Sequence, residues 1–266
     1  MCDTCGCGDT DGVRVTVPGD PAGETAHDDD HRAHPHEHGE TTTSGTVRVE
    51  ERILAKNDVV AAANRAWLDE RGILAVNVMG SPGAGKTTLL EQTVRQLAGR
   101  RDTAVVEGDQ ETLLDAERIQ AGGGRVVQVN TGTGCHLDAP MLQDALRRLG
   151  PAPGSVVFVE NVGNLVCPAL FDLGEHARVV LASVTEGEDK PLKYPHMFRS
   201  ADLVLLTKID LLPYVPFDSD RFVEFARRLR PDVEVVRISA LRDDGVRAWR
   251  EWLDSMVRPA ASSRMS

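Results

Sequence analysis

Runs of apolar residues alternate with amphipathic stretches along most of the chain, which predicts alternating strands and helices. Seven strand-like runs are rich in Val, Ile and Leu: Ile73–Met79, Thr103–Val106, Arg125–Val129, Ser155–Val159, Ala177–Val184, Leu203–Thr207 and Val233–Ile238. Helical spacing of apolar positions separates several of these runs, at about 86–99, 112–120, 137–149, 217–230 and 244–256. Continuous apolar strands are typical of a parallel sheet that is covered on both faces. The pattern therefore predicts an α/β fold with a doubly wound, mostly parallel sheet.

The chain has a different character before this domain. Residues 8–46 are rich in Gly, Asp, Thr, Pro and His and hold few large apolar side chains, which predicts a disordered linker. Order is expected to begin near Val47, with a first helix from Glu50 to Glu70. The apolar positions of that helix are Ile53, Leu54, Val59, Val60, Ala63, Trp67 and Leu68. The predicted organisation is a Cys motif at 1–7, the linker at 8–46, one domain at 47–258 and a frayed tail at 259–266.

Charge and hydropathy exclude two classes of partner. The 266 residues carry a formal net charge of −11, and the first 50 hold eleven acidic and three basic residues. Because nucleic-acid binding needs clustered Lys and Arg to neutralise phosphates, no nucleic-acid partner is expected. No apolar run reaches the roughly 18–20 residues that cross a bilayer, and the N-terminus lacks the features of a signal peptide. The protein is therefore expected to be cytoplasmic, without membrane insertion.

A glycine-rich motif predicts a nucleotide site. Residues 80–87 read GSPGAGKT, which fits the P-loop pattern, and they follow a predicted strand and open a predicted helix. In such a loop, backbone N–H groups surround the phosphates, Lys86 reaches the β- and γ-phosphates as the catalytic cation, and Thr87 binds Mg²⁺. The candidate nucleotide-binding residues here are Gly80, Ser81, Pro82, Gly83, Ala84, Gly85, Lys86, Thr87 and Thr88.

A second motif predicts that the base is guanine. Residues 207–210 read TKID, close to the guanine-reading pattern Asn-Lys-x-Asp. In that pattern the Asp carboxylate accepts hydrogen bonds from guanine N1–H and the 2-amino group, a pair of donors that adenine lacks. Thr207 replaces the usual Asn and can take over only part of its hydrogen bonding. The candidate base-binding residues are Lys208 and Asp210, with Ser239 and Ala240 in a second loop. The alternative is that Lys208 and Asp210 form a solvated surface pair.

Two acidic residues are predicted to complete the nucleotide site. Asp109 follows a predicted strand in a loop where a switch element would meet Mg²⁺ or the attacking water, which makes it the second candidate catalytic residue. Glu160 ends another strand, a position from which a carboxylate can hold Mg²⁺ directly or through water. The alternative for each is a charged loop residue without a catalytic role.

Cysteines at the extreme N-terminus predict a metal site. Cys2, Cys5 and Cys7 place three thiols within six residues, beside the N-terminal amine. Thiolates are ligands that suit Ni²⁺ or Zn²⁺, and the amine could be the fourth donor. An Asp-interleaved histidine cluster follows at His27, His31, His34, His36 and His38. This cluster is interpreted either as a store of weak metal sites or as a solvated tail.

A second group of metal-binding residue types follows two strands of the predicted sheet. Cys135 and His136 come after the strand Arg125–Val129 and are expected to open a helix, whereas Cys167 follows the strand Ser155–Val159. Both loops should emerge at the carboxyl edge of a parallel sheet, as the P-loop does. Three donors in one chain leave a tetrahedral site one ligand short, which water or a second chain could supply. The alternative is two buried free thiols and a capping histidine.

Together these motifs resemble the HypB family of hydrogenase nickel-incorporation GTPases. The resemblance rests on CxxCGC, GSPGAGKTT, EGDQ, NTGTGCHLDA, ENVGNLVCP, SVTEGEDKPLKYPHMF and TKIDLLPY, and it extends almost continuously from Ile53 to Leu253. It implies a GTPase of the signal-recognition/MinD-like (SIMIBI) class that delivers nickel to [NiFe] hydrogenase. It also implies a GTP-dependent homodimer that works with the zinc-containing accessory protein HypA and the hydrogenase large-subunit precursor.

The resemblance also assigns roles to residues. It implies a tight nickel site at Cys2, Cys5 and Cys7, and a nickel or zinc site at Cys135, His136 and Cys167. Residues 80–88, with Asp109, Lys208 and Asp210, would bind GTP or GDP and Mg²⁺. Three alternatives remain: a urease-type nickel GTPase, for which CxxCGC is not expected; a nucleotide-gated metal-binding switch without useful turnover; and a small-molecule kinase, which would need an acceptor site.

Overall fold

The computed structural model describes residues 14–16, 43–109, 114–132, 134 and 136–257. Its strands are β1 (Arg14–Thr16), β2 (Leu74–Gly80), β3 (Thr103–Asp109), β4 (Arg125–Asn130), β5 (Val156–Glu160), β6 (Ala177–Ser183), β7 (Leu203–Thr207) and β8 (Glu234–Ile238). Its α-helices are α1 (Thr43–Glu70), α2 (Lys86–Leu97), α3 (Leu114–Ala121), α4 (Ala139–Leu149), α5 (Lys190–Lys193), α6 (Pro195–Ser200), α7 (Ser219–Leu229) and α8 (Val246–Met256). The described residues also form short 3₁₀ helices at Cys167–Ala169 and Ile209–Tyr214.

The strands form one sheet in the order β1-β4-β3-β5-β2-β6-β7-β8. Among the described strands, all neighbouring pairs from β4 to β8 are parallel, and only the short edge strand β1 pairs antiparallel, with β4. Strand β2 lies between β5 and β6, so the loops that follow β5 and β6 flank the loop that follows β2. This confirms the predicted doubly wound, mostly parallel α/β fold.

Helices cover both faces of the sheet. Val76 and Val78 of β2 belong to a buried cluster that includes Trp249 of α8. Ala75, between β2 residues of that cluster, belongs to the cluster that includes Leu142 of α4 and Leu68 of α1. Since alternate residues of a strand point to opposite faces, both sides of β2 are buried. This is why its sequence is almost entirely apolar instead of alternating, with the buried Asn77 as the polar exception.

The structure differs from the predicted linker and from the predicted start of order. Strand β1 lies within residues 8–46, so the prediction of disorder does not hold at Arg14–Thr16. Strand β4 has an edge that these residues extend, and the β-branched Val15 and Thr16 suit a strand. Helix α1 begins at Thr43 instead of Glu50, because extending an existing helix costs little once its first turns are formed. The Cys motif at 1–7 and the tail at 259–266 lie outside the described residues.

Two short helices between β6 and β7 were not predicted. Helices α5 and α6 span four and six residues, each with a proline in its first turn. Segments this short contain too few turns to produce a helical pattern of apolar residues. Met197 and Phe198 of α6 are nevertheless fully buried in the cluster beneath β6 and β7.

No helix among the described residues is both long enough and apolar enough to cross a bilayer.

Candidate functional site

The P-loop connects β2 to α2 at the carboxyl edge of the sheet, as predicted. At Gly80 a Cβ atom would lie 2.6 Å from the Leu181 carbonyl oxygen, so the loop leaves the strand too close to β6 for any side chain. Gly83 and Gly85 have φ angles of 74° and 96°, in the left-handed region that glycine tolerates best. The glycines of the motif therefore allow the loop to turn tightly over the start of α2.

Lys86 is the first residue of α2 and is buried. Its ammonium Nζ donates hydrogen bonds to the carbonyl oxygens of Gly80 and Ser81, both at 3.3 Å. The Ser81 hydroxyl in turn donates to Glu186 Oε2 at 2.8 Å, which joins the P-loop to the segment after β6. The lysine charge is thus held inside the loop, at the place where the phosphates of a nucleotide would lie.

An open pocket of about 480 Å³ lies over the P-loop. It is lined by Pro82, Gly83, Gly85, Lys86, Thr87, Thr88, Glu107, Gly108, Arg118, Glu160, Asn161, Val162, Gly163 and Lys208. The N-terminus of α2 faces this pocket, and the first N–H groups of a helix carry partial positive charge. The pocket therefore suits an anionic ligand such as a phosphate chain.

Two of the predicted Mg²⁺ ligands lie together. The Thr87 hydroxyl donates a hydrogen bond of 2.8 Å to Glu160 Oε1, and Glu160 is buried at the end of β5. A hydroxyl and a carboxylate are the hard oxygen donors that Mg²⁺ prefers, so these residues fit the ion. Asp109 ends β3, the neighbour of β5 in the sheet, but its side chain lies outside the described part of the structure.

The base-reading motif also joins the P-loop to the last strand. The Thr207 hydroxyl donates to the Ala84 carbonyl oxygen at 2.7 Å, so the threonine supports the P-loop directly. Lys208 has a φ of 58° and lines the pocket. Asp210 Oδ1 accepts a hydrogen bond of 2.6 Å from the hydroxyl of Ser239, which is fully buried. The structure thus brings the two predicted base-binding loops together.

The second of these loops is anchored to α2 as well. The carbonyl oxygen of Ala240 accepts a hydrogen bond from the side-chain amide of Gln92. This contact holds the loop after β8 against the helix that begins at the P-loop. Ala240 is therefore held beside α2 through its backbone carbonyl, and it is not among the described residues that line the pocket.

Several pocket residues were not predicted from the sequence. Gly163 approaches the P-loop so closely that a Cβ atom would lie 2.8 Å from Pro82 Cγ. Arg118 of α3 lines the pocket, and its guanidinium pairs with Glu91 of α2 at 2.9 Å. The glycine three residues after Glu160 was a usable signal, since only glycine fits so near the loop. No sequence feature near Arg118 indicated that it lines the pocket, because its position depends on how α3 packs against the rest of the domain.

His136 and Cys167 are both buried at the carboxyl edge of the sheet. Burial lowers the pKa of the His136 imidazole to about 4, so the ring is neutral at pH 7, the form that binds metals. The ring stacks on Phe171, with centroids 3.9 Å apart. Cys167 begins the 3₁₀ helix Cys167–Ala169. A neutral imidazole and a thiol fit Ni²⁺ or Zn²⁺.

Four of the predicted thiol ligands lie outside the described residues, namely Cys135 and the N-terminal Cys2, Cys5 and Cys7. Among the described residues, no group of three or more His, Cys, Asp or Glu side chains is placed to hold a metal ion. The expectation that Cys135 and His136 open a helix is also wrong in detail. Helix α4 begins at Ala139, because the Asp138 carboxylate caps it by accepting from the Met141 N–H at 2.8 Å.

The fold and the pocket define a P-loop nucleotide-binding protein. The sequence model of the family described as CobW/HypB/UreG, nucleotide-binding domain, matches residues 74–237. This range begins with the strand that precedes the P-loop and ends in β8, so it includes the pocket but not α1.

Known proteins with this domain include close relatives of the chain. The hydrogenase maturation factor HypB of Azotobacter vinelandii is 54% identical over 211 residues, which cover 79% of this chain and 70% of the relative. The crystal structure of HypB from Archaeoglobus fulgidus is 36% identical, with a TM-score of 0.73 over 77% of this chain and 100% of that one. HypB from Helicobacter pylori, solved in complex with nickel, is 35% identical, with a TM-score of 0.72 over 79% of this chain and 99% of that one. The chain belongs to the HypB family of hydrogenase maturation factors.

Proposed function

We propose that this protein hydrolyses GTP to GDP and phosphate and uses that cycle to deliver nickel during maturation of [NiFe] hydrogenase. One contact carries this proposal: the Thr87 hydroxyl lies 2.8 Å from the Glu160 carboxylate oxygen Oε1. Both residues line the same pocket as the buried Lys86. This arrangement provides a cation for the phosphates and oxygen ligands for Mg²⁺ in one pocket.

Guanine recognition is supported by the geometry around Asp210. The buried Ser239 hydroxyl holds Oδ1 of this carboxylate at 2.6 Å and so fixes its orientation. A fixed carboxylate can accept from both N1–H and the 2-amino group of guanine. Adenine offers an acceptor at N1 instead, and a buried polar group left unmatched costs about 1–3 kcal/mol. GTP is therefore favoured over ATP.

Hydrolysis uses the chain's own charges around the phosphates. Lys86 would exchange its bonds to the Gly80 and Ser81 carbonyls for bonds to phosphate oxygens. Thr87 and Glu160 would hold Mg²⁺, whose charge stabilises the negative charge that develops on the phosphates, and Asp109 would orient the ion or the water. None of these residues acts as a separate activating group, so GTP turnover should be slow, at about 10⁻⁴–10⁻² s⁻¹. Phosphate release with GTP and with ATP, each with and without Mg²⁺, tests this: equal turnover of both nucleotides would contradict it.

Replacing Cys2 and Cys5 together with alanine in the full chain is expected to remove one tightly bound Ni²⁺ per chain. Thiolates are needed as ligands, so binding at this site should also weaken as pH falls, when the thiols become protonated. The measurement is nickel stoichiometry and affinity by competition with a chelator, from pH 6 to 8.

GTP turnover is the internal control for this prediction. The Cys2→Ala, Cys5→Ala protein should hydrolyse GTP at the parent rate, because neither cysteine is among the residues proposed to bind the nucleotide or Mg²⁺. If the tight stoichiometry survived both substitutions, the site would lie elsewhere, and the histidine cluster at 27–38 would be the next segment to test.

The nucleotide is expected to change metal binding at Cys135, His136 and Cys167. We propose that two chains share this site in a GTP-dependent homodimer, since one chain supplies three donors. Cys167 lies seven residues after Glu160, so a change in the Mg²⁺ ligands can reach the thiol through one loop. By thermodynamic reciprocity, metal and nucleotide then alter each other's binding, typically by about 1–3 kcal/mol, or about 5–150-fold.

This coupling is measured as the affinity of the protein for Ni²⁺ and Zn²⁺ with GDP and with a non-hydrolysable GTP analogue. Sedimentation with each of the four combinations of metal and nucleotide measures how much of the protein is dimeric. Cys167→Ala should lower the affinity and remove the difference between the nucleotides. Equal affinities in both states would instead indicate a static structural zinc, which cannot shift any equilibrium.

The proposed partners follow from membership of the HypB family. We propose the zinc-containing accessory protein HypA and the hydrogenase large-subunit precursor as the proteins that exchange nickel with this one. Pull-down of each with the protein in GDP and GTP-analogue states is the direct check.

A further inference from the structure

The buried face of α1 is polar at two positions. Asn57, Ala61, Asn64 and Leu68 follow one another at helical spacing and are all buried, with Asn57 and Asn64 only 4% and 2% exposed. A buried amide is costly unless its hydrogen bonds are satisfied. Apolar residues would cover the sheet at lower cost, so these two asparagines point to a specific contact.

Both asparagines bind the backbone of the same two loops. The Asn57 side-chain oxygen accepts from the Ala139 N–H at 2.8 Å, and its amide donates to the Asp172 carbonyl oxygen at 2.7 Å. The Asn64 amide donates to the carbonyl oxygens of Ala139 and Leu173, at 2.9 and 3.0 Å. Each asparagine therefore bridges the start of α4 and the segment at 172–173.

These loops carry the candidate metal ligands. Ala139 comes three residues after His136, and Asp172 comes five residues after Cys167. The stacking of His136 on Phe171 joins the loops once more, directly at the candidate ligand. The asparagine bridges and the ring stack thus act on one contact between the two segments.

The segment after Phe171 is pressed closely against α1. At Gly174, with a φ of 90°, a Cβ atom would lie 2.4 Å from the Ala61 carbonyl oxygen, so only glycine fits. Arg65, half-buried on α1, pairs with the Asp172 carboxylate at 2.7 Å. The contact is therefore built from side chains, backbone and a required glycine.

We propose that α1 is a positioning element of the metal site and that Asn57 and Asn64 are its positioning residues. By holding Ala139 and residues 172–173 at one distance, they set how far the His136 and Cys167 side chains stand apart. A metal ion tolerates little variation in ligand distance, so a loosened contact lowers its affinity. The inference rests on the proposed function, because it needs metal to bind at His136 and Cys167.

The test uses the full chain with Cys2, Cys5 and Cys7 replaced by serine, so that only the second site binds nickel tightly. In this background, Asn57→Ala and Asn64→Ala are expected to lower Ni²⁺ affinity at least tenfold and to weaken the sulfur-to-nickel charge-transfer absorption. Affinity for a GTP analogue, measured without nickel or zinc, should stay within about twofold. Arg65→Met, a milder change at the same contact, should lower nickel affinity in the same direction and serves if the asparagine variants fail to fold.

Leu253→Ala is the matched control. Leu253 is buried on α8, in the cluster that contains Trp249 and none of the residues of the two metal loops. The substitution should lower the melting temperature at least as much as Asn64→Ala, because it leaves a cavity in the core, and it should leave nickel affinity unchanged. Nickel affinity that falls equally in Leu253→Ala, or that stays at the parent value in the asparagine and Arg65 variants, overturns the positioning role. A parent that binds no nickel at this site overturns the proposed metal site itself, and the positioning role with it.

Discussion

Lys86→Ala is expected to abolish GTP hydrolysis, lowering turnover by about 10²–10³-fold or more. Removing one preorganised donor to a developing negative charge costs about this much in other enzymes, and Lys86 supplies a full charge. Its ammonium is already held in the P-loop, 3.3 Å from the carbonyl oxygens of Gly80 and Ser81. The measurement is phosphate release from GTP with Mg²⁺ under single-turnover conditions.

Lys56→Ala is the control for that substitution. It removes the same functional group from the exposed side of α1, away from the pocket. Its turnover should match that of the parent. A Lys86→Ala protein that kept more than a tenth of the parent rate would show that the phosphates are not bound at this P-loop.

Asp210→Asn is expected to change the base that the protein prefers. The substitution replaces one accepting oxygen by an NH₂ donor, which opposes the donors of guanine. A hydrogen bond to a charged group contributes about 1.5–3 kcal/mol, so GTP affinity should fall about 10²-fold. Xanthine carries an oxygen where guanine carries the 2-amino group, so xanthosine triphosphate should now bind better than GTP.

Competition between GTP and xanthosine triphosphate for the protein measures this preference. Asp232→Asn, an exposed change outside the pocket, should leave it as in the parent. Ser239→Ala should weaken GTP binding less than Asp210→Asn does, since the serine only orients the carboxylate. If Asp210→Asn still favoured GTP over xanthosine triphosphate, another residue would read the base.

Most of the nucleotide pocket could be predicted from the sequence because its determinants are local. Residues 80–87 carry the glycines that the loop's φ angles require, and the flanking strand and helix have their own patterns. Glu160 is also a local prediction, since it ends an apolar strand. That it meets Thr87 follows from the neighbouring places of β5 and β2 in a parallel sheet.

The face of α1 is a case where the sequence pattern misled. Apolar spacing indicated positions such as Val59 and Ala63, yet Val59 is 73% exposed and Ala63 is exposed too. The buried face instead includes Asn57 and Asn64, because their partners are backbone groups of distant loops. A pattern that counts apolar residues cannot detect a surface whose contacts are hydrogen bonds.

The sequence by itself determined the α/β class, the P-loop, the base-reading motif and membership of the HypB family, since each depends on residues close together in the chain. Only the tertiary structure decided which distant groups meet: Thr207 with Ala84, Ser239 with Asp210, and α1 with the loops after His136 and Cys167. The physical reason is that local backbone preferences act over a few residues, whereas the partner of a buried polar group is set by the packing of the whole sheet.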